Sequence, residues 1–127
     1  MPTILVVEDE PLVRAIAVEV LTDAGHDVRE ACDGRQALDM LESDGPVDLL
    51  VTDIQMPRMN GYQLAESAMS RWPGQRILLV TGYTRENEPE LVRKACLRTL
   101  QKPFDVDRLP GIVAELLGKG SDGTHPV

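Results

Sequence analysis

Aromatic residues are scarce in this chain, which has one Trp, two Tyr and one Phe among 127 residues. So few rings leave little to sandwich a flavin, which argues against a flavin-dependent electron carrier. The two cysteines, Cys32 and Cys96, lack CxxC spacing and are predicted to be buried, reduced thiols. His26 and His125 belong to no cluster of potential ligands. The sequence therefore predicts no metal or catalytic site built on cysteine or histidine.

Long apolar runs and an excess of positive charge are also missing. No run approaches the ~20 residues that cross a bilayer, and the N-terminus has neither a basic segment nor a signal-peptide core. We therefore expect a cytoplasmic protein without a membrane partner. The 13 Lys and Arg against 21 Asp and Glu give a net charge of −8. Because such a field repels nucleic acid phosphates, we expect no direct binding of DNA or RNA.

The chain has the size and composition of one globular domain. Its 127 residues, 43% of them hydrophobic, are enough to bury a core but too few for a second domain. We expect the domain to span residues 1–118. Residues 119–127 have no apolar face and are predicted to form a flexible tail.

Short apolar runs alternate with helical patterns along the chain. Strands are predicted at residues 4–7, 26–31, 48–52 and 77–80 and around Leu100, with the second strand near a sheet edge because polar residues interrupt it. Helices are predicted from Pro11 to Gly25, after Asp33-Gly34, from an Asn60 cap to Trp72, from Pro89 to about Ala95, and around Ile112, Val113, Leu116 and Leu117. Pro110-Gly111 indicates that the last helix starts late or bends near its beginning. In the first helix, Leu12, Ile16 and Val20 recur at helical spacing, and Val13 and Ala17 are further candidates for the same pattern. Five βα units in succession predict a parallel sheet with right-handed crossovers.

Three of the predicted strands end at residues that can handle phosphate or metal. The first run stops at Glu8-Asp9, the third ends near Asp53, and Leu100 is followed by Lys102. In open α/β sheets, ligands lie beyond the carboxyl ends of the strands. Like charges about 4 Å apart repel by roughly 4 kcal/mol at an effective dielectric near 20, so we expect the three acids to recruit a cation. Hard oxygen donors without Cys or His favour Mg²⁺.

These residues together resemble a known family, the receiver domain of bacterial two-component response regulators. The motifs that carry the resemblance are Glu8-Asp9, Asp53-Ile54-Gln55-Met56-Pro57, Asn60-Gly61, Thr81 and Lys102-Pro103-Phe104, and the match runs from about Ile4 to Leu117. The resemblance implies a flavodoxin-like (βα)5 three-layer sandwich with a parallel five-stranded sheet in the order 2-1-3-4-5.

The resemblance also implies roles for single residues. Asp53 would accept a phosphoryl group from a sensor histidine kinase or a phosphotransfer protein. Asp9, Asp53 and the backbone carbonyl of Gln55 would hold Mg²⁺, with Glu8 acting mainly through bound water. Lys102 would pair with a phosphoryl oxygen, and Thr81 would supply a hydroxyl hydrogen bond. The Lys102-Pro103 peptide bond would be cis.

The same resemblance describes a signalling switch rather than an enzyme, with self-catalysed phosphoryl transfer, slow autodephosphorylation and a monomer or weak dimer. Thr81 would move inward on phosphorylation and remodel a partner-binding surface made by the fourth helix, fifth strand and fifth helix. Thr99 stands where the family usually has Tyr or Phe. We therefore expect Tyr83 to carry part of the output.

Alternatives to this interpretation remain open at the level of sequence. An aspartate-nucleophile phosphatase would also use Mg²⁺, but such enzymes carry a second acid two residues after the nucleophile, where this chain has Gln55. A receiver-like binding module would take no phosphate. Four arginines and two methionines receive no site role. The arginines are expected on solvated faces, namely Arg14, Arg29, Arg35 and Arg58, and Met56 and Met59 are expected to fill gaps between loop and core.

Overall fold

A computed structural model describes residues 2–53, 59–81, 98–101 and 109–121, with the backbone alone described at 81, 98–101 and 118–121. The predicted helix at 89–95 lies outside these residues, as does Cys96. None of the helices in the described ranges combines the length and the apolar character needed to cross a bilayer.

The centre of the fold is a five-stranded parallel sheet. Its strands are β1 (Thr3–Val7), β2 (Asp27–Ala31), β3 (Leu49–Asp53), β4 (Ile77–Thr81) and β5 (Arg98–Gln101). Their order is β2-β1-β3-β4-β5, and every neighbouring pair is parallel. This order confirms the predicted fold class. The polar strand β2 lies at an edge, whereas β3, which is apolar over residues 49–51, is central and buried along its whole length.

Four helices are described: α1 (Pro11–Asp23), α2 (Gly34–Asp44), α3 (Gly61–Arg71) and α4 (Leu109–Ser121), the last being the fifth helix of the sequence prediction. Pro11 starts α1, where a missing N–H costs nothing. Asp33 caps α2 by accepting from the amide of Gln36 at 2.8 Å. After α1, Gly25 takes the left-handed conformation that ends the helix, with φ of 98°.

The core has two layers, one on each face of the sheet, because alternate strand residues point to opposite sides. The α2–α3 layer contains Leu5, Val7, Leu50 and Leu79 from the strands and the inward faces of α2 and α3. The α1–α4 layer contains Ile4, Val6, Leu49, Val51, Leu78 and Val80, with Leu21 of α1 and the buried face of α4. Both layers share the strands β1, β3 and β4, so that the sheet lies between two layers of helices.

Three details of the elements differ from the prediction. Leu12 is 70% exposed and Ile16 41% exposed, because α1 turns Ala17, Val18 and Leu21 toward the sheet instead. α4 begins at Leu109 and includes Pro110 in its first turn, where proline is tolerated, so the proline does not delay the start. α4 also continues to Ser121, beyond the start of the predicted tail.

The prediction of buried cysteines is wrong for Cys32, which is exposed as a free thiol. It lies just past Ala31, the last residue of β2, which is an edge strand of the sheet in the described part of the chain. Its backbone amide donates to the side chain of Gln36 at 2.7 Å, which fixes the turn into α2.

Candidate functional site

The carboxyl ends of β1 and β3 bring three acids together. Val7 at the end of β1 lies opposite Thr52 of β3, so Glu8 and Asp9 leave β1 beside Asp53. Each of the three side chains offers a carboxylate oxygen, and these oxygens all lie within 4.8 Å of one another. Glu8 and Asp53 are each 6% exposed, whereas Asp9 is exposed. The site is therefore an anionic cluster with two buried members and one that faces solvent.

The donor set of this cluster fits a hard divalent cation. Three carboxylates bring three negative charges into a small volume, and among the described residues no Cys or His joins the cluster as a softer ligand. Oxygens that share one octahedral Mg²⁺ stand roughly 3–4 Å apart. The carboxylate oxygens here lie within 4.8 Å of one another, so small side-chain rotations would bring them to one ion. The partial exposure leaves one side open for water and for a phosphate oxygen.

Hydrogen bonds to backbone groups fix the turn that carries Glu8 and Asp9 and the end of β3. The Glu8 amide donates to the carbonyl of Ala31 at 3.1 Å, which ties the turn to β2. The Glu10 amide donates to a carboxylate oxygen of Glu8 at 3.2 Å. On the neighbouring strand, the Thr52 hydroxyl donates to the Asp53 carbonyl at 3.0 Å. The acids are thus presented by backbone that is itself fixed.

Arg14 lies at this site, and sequence reasoning missed it. Its side chain is 20% exposed, so the expectation of a solvated face is wrong for this residue. Its Nη1 donates to the carbonyl of Glu8 at 2.8 Å, and its Nε donates to the carboxylate of Glu30 at 3.0 Å. The one available signal was its place in the first turn of α1, six residues after Glu8.

The other arginines match the expectation of solvated faces where they are described. Arg29 is 40% exposed and pairs with Asp27 and Asp44 on the surface. Arg35 is 71% exposed and pairs with Asp39 one helical turn away. Arg58 lies outside the described residues. Met59 packs against the α2–α3 layer, as expected for a residue that fills a gap between loop and core.

The remaining predicted site residues are described only in part. Asp53 pairs with Val80 across β3 and β4, so Thr81 follows one position later at the same edge of the sheet. Thr81 in turn pairs with Gln101, the residue before Lys102. Thr99 lies within β5, opposite Leu79. Four predicted residues fall outside the described ranges: Gln55, Tyr83, Lys102 and Pro103.

A small apolar cavity lies behind the acids. Glu8 and Asp53 line it together with Val6, Val7, Val13, Ala17, Val51, Val80 and Leu109, and its volume is about 40 Å³. A cavity of this size holds a few water molecules at most, and has no room for an organic ring system such as a flavin. The apolar wall keeps water away from one side of the carboxylates, which strengthens their interaction with a bound cation.

Comparison with known proteins gives consistent results. Residues 4–114 match the sequence model of the response regulator receiver domain. Sensor kinase CckA of Brucella abortus is 36% identical over 119 residues, which are 92% of this chain but 13% of that protein. The chemotaxis protein CheY homolog of Campylobacter jejuni is 35% identical over 122 residues, which are 93% of this chain and 94% of that protein.

Among solved structures, the response regulator protein TrrA from Thermotoga maritima, in complex with Mg²⁺-BeF, is similar throughout. It is 33% identical, has a TM-score of 0.81, and the match covers 91% of this chain and 99% of that chain. The similar proteins therefore include a separate small regulator, which this chain matches along nearly its full length, and a sensor kinase of which the chain spans only a minor part.

Proposed function

Because the chain belongs to the response regulator receiver family, whose members are signalling switches, we propose that Asp53 is the acceptor of a phosphoryl group in a two-component system. The donor is a sensor histidine kinase or a phosphotransfer protein. The observation that carries this proposal is the buried Asp53 carboxylate at the end of the central strand, within 4.8 Å of the Glu8 and Asp9 carboxylates.

The chemistry asked of Asp53 is nucleophilic substitution at phosphorus. A carboxylate oxygen forms a bond to the phosphorus atom of the donor while the bond from phosphorus to the leaving group breaks, and the leaving group departs with that electron pair. Asp53 is suited to this role because β3 and the Thr52 bond to its carbonyl fix its backbone. Its small exposed fraction restricts access by bulk water, which would hydrolyse the product.

The metal in this proposal is Mg²⁺, held by Asp9, Asp53 and the carbonyl of Gln55, with Glu8 acting through bound water. When bound, Mg²⁺ offsets the negative charge that gathers on the transferred group. Support comes from the hard oxygen donors of the cluster and from the Mg²⁺-BeF complex of the similar protein TrrA. The acids themselves would position the ion.

Thr81 and Lys102 complete the proposed site. The hydroxyl of Thr81 would donate to one phosphoryl oxygen, and the ammonium of Lys102 would pair with another as a point charge. Support comes from the strand register, because Thr81 follows the residue paired with Asp53, and Gln101 lies opposite Thr81. Thr81 is the last residue of β4, the strand beside β3, and Lys102 follows the last residue of β5 in the sequence.

The proposed output follows from charge. A phosphoryl group adds about −1.5 to −2 charges and strong acceptor oxygens at one point, which draws Thr81 and the segment containing Tyr83 inward. The partner-binding surface would be formed by residues 89–95, β5 and α4. Because Thr99 has no ring, Tyr83 takes part of the readout in this proposal.

The decisive experiment is treatment with acetyl phosphate and Mg²⁺, followed by intact mass measurement. We expect one added phosphoryl group in the wild type, none in Asp53→Asn, and none when EDTA removes the metal. Asp48→Asn is the matched control, since Asp48 lies at the opposite end of β3, where it accepts from the amide of Thr3 at 2.7 Å. We expect this control to be phosphorylated like the wild type.

Other results of this experiment would contradict the proposal. Phosphorylation of Asp53→Asn to the wild-type level would place the acceptor elsewhere. A wild type that takes up no phosphoryl group, even from phosphoramidate as a second small donor, would favour a binding module. Continuous hydrolysis of phosphate esters would favour a phosphatase. Amide NMR spectra of the same sample would show whether signals of Thr81 and Tyr83 shift on phosphorylation, as the proposed output requires.

A further inference from the structure

We propose that Arg14 is a positioning residue for metal binding, which fixes the orientation of the Glu8–Asp9 peptide and thereby the placement of both acids. This inference rests on the proposed function in one respect, because it assumes that the acidic cluster binds Mg²⁺. It adds Arg14 to a proposed site that otherwise consists of the acids, Thr81 and Lys102. In this proposal Arg14 fixes the position of the acids and does not contact the phosphoryl group.

The guanidinium of Arg14 joins three elements with two hydrogen bonds. Nη1 donates to the Glu8 carbonyl just beyond β1 at 2.8 Å, and Nε donates to Glu30 on β2 at 3.0 Å. Because the guanidinium is planar and rigid, the two bonds fix its orientation together. The Arg14 side chain is 20% exposed and its bond to the Glu8 carbonyl is partly buried, whereas Glu30 is 54% exposed, so solvent competes mainly for the bond to Glu30.

The peptide that Arg14 holds is the one that links the two acids of the turn. The carbonyl of Glu8 and the amide of Asp9 form one planar unit, so the direction of the carbonyl sets the direction in which Asp9 leaves. The preceding peptide is held by the bond from the Glu8 amide to Ala31 at 3.1 Å. Glu30 and Ala31 are adjacent on β2, so the same short part of the edge strand holds the peptide bonds before and after Glu8.

Charge and geometry predict opposite effects when Arg14 is removed. If Arg14 acted only as a nearby positive charge, its loss would increase the attraction of the acids for a cation. If it acts by holding the peptide, its loss lets the turn move. Binding of Mg²⁺ must then order Glu8 and Asp9, and the entropy lost in doing so lowers the affinity. The sign of the change in Mg²⁺ affinity therefore distinguishes the two roles.

The test is calorimetric titration of Mg²⁺ into the wild type, Arg14→Ala, Arg14→Lys and Arg29→Ala. We expect the Kd for Mg²⁺ to rise about 3- to 10-fold in Arg14→Ala, in line with the loss of a charge-assisted hydrogen bond. Arg14→Lys keeps the charge but loses the two-nitrogen bridge, so we expect an intermediate Kd. Arg29→Ala also removes one positive charge, but from β2, at a residue that pairs with Asp27 and Asp44. We expect the Kd of this variant for Mg²⁺ to stay within about 2-fold of the wild type.

A readout without metal checks the same inference. In the metal-free protein, we expect the Glu8 amide to exchange its hydrogen faster in Arg14→Ala than in the wild type, because the turn opens more often. Amides in the middle of β3 serve as internal controls and should keep their exchange rates. Circular dichroism of the variant would show that it is folded under the conditions used.

An unchanged or lower Kd in Arg14→Ala would overturn the positioning role. Wild-type protein that bound no Mg²⁺ would overturn both this inference and the metal in the proposed function. If the wild type bound Mg²⁺ but took no phosphoryl group, and Arg14→Ala bound Mg²⁺ more weakly, the positioning role would stand and the phospho-acceptor role of Asp53 would fail.

Discussion

At the scale of single residues, position at a strand end was the informative feature. Glu8, Asp9 and Asp53 follow apolar runs, and parallel strands end at the same edge of a sheet, so their meeting could be predicted. Arg14 and Cys32 could not be assigned in this way. Their environments depend on the edge strand β2, in which Glu30, the partner of Arg14, lies 16 residues further along the chain.

Gly34 provides a test of close packing at the residue scale. A Cβ at this position would lie 3.0 Å from Cγ and 3.1 Å from the backbone oxygen of Met59, and the backbone atom cannot move away cheaply. We expect Gly34→Ala to lower the free energy of unfolding by about 1–3 kcal/mol, measured by urea denaturation.

Gly111→Ala is the matched control for Gly34→Ala. Gly111 also lies in the first turn of a helix, and a Cβ there would meet nothing within 4 Å. We expect this variant to be as stable as the wild type or up to about 1 kcal/mol more stable, because alanine favours the helix. Equal destabilisation of both variants would show that the contact with Met59 is not the cause.

At the scale of elements, helix starts were predictable because capping is local chemistry. Pro11, Asp33 and Asn60 stand at or beside the first turn of α1, α2 and α3, as the sequence indicates. The face that a helix turns inward was harder to predict. The apolar residues of α1 lie on more than one face of the helix. Only packing against the sheet decides that Ala17, Val18 and Leu21 face inward. Leu12 and Ile16 remain exposed.

The capping box of α3 gives the prediction for this scale. The Asn60 side chain accepts from the Gln63 amide and the Gln63 side chain accepts from the Asn60 amide, both at 2.9 Å. We expect Asn60→Ala to lower the free energy of unfolding by about 0.5–2 kcal/mol, measured by urea denaturation, because the helix loses a side-chain partner for an unpaired N–H.

Ser70→Ala, near the other end of α3, controls for the gain in helix propensity that alanine brings. Ser70 is exposed, and we expect its replacement to change stability by no more than about 0.5 kcal/mol. If Asn60→Ala proved as stable as Ser70→Ala, the capping box would have no measurable role in the stability of the domain.

At the scale of the whole molecule, the sheet couples the two core layers. Leu78 and Leu79 are neighbours on β4, yet each belongs to a different layer. Since both layers pack on the same strands, unfolding of the strands would disrupt both layers at once. The domain is therefore expected to unfold as one cooperative unit.

Trp72 allows this coupling to be tested. It is the single tryptophan of the chain and packs against the α2–α3 layer. Leu78 is fully buried in the opposite layer, and we expect Leu78→Ala to cost about 2–5 kcal/mol. The urea transitions followed by Trp72 fluorescence and by circular dichroism should shift together, whereas separate midpoints would contradict coupling through the sheet. Leu12→Ala, at a 70% exposed position, should leave both transitions nearly unchanged.

The sequence by itself determined the fold class, the strand order expected from the family resemblance, most helix starts and the identity of the three clustered acids. Apart from the strand order, which the family resemblance implied, these features rest on local rules, namely hydrophobic periodicity, capping and the endings of apolar runs, which act over a few residues. The tertiary structure alone decided the inward face of α1, the exposure of Cys32 and the two hydrogen bonds of Arg14. Each of these depends on which strand lies beside which, and that neighbourhood forms only when segments far apart in the chain pack together.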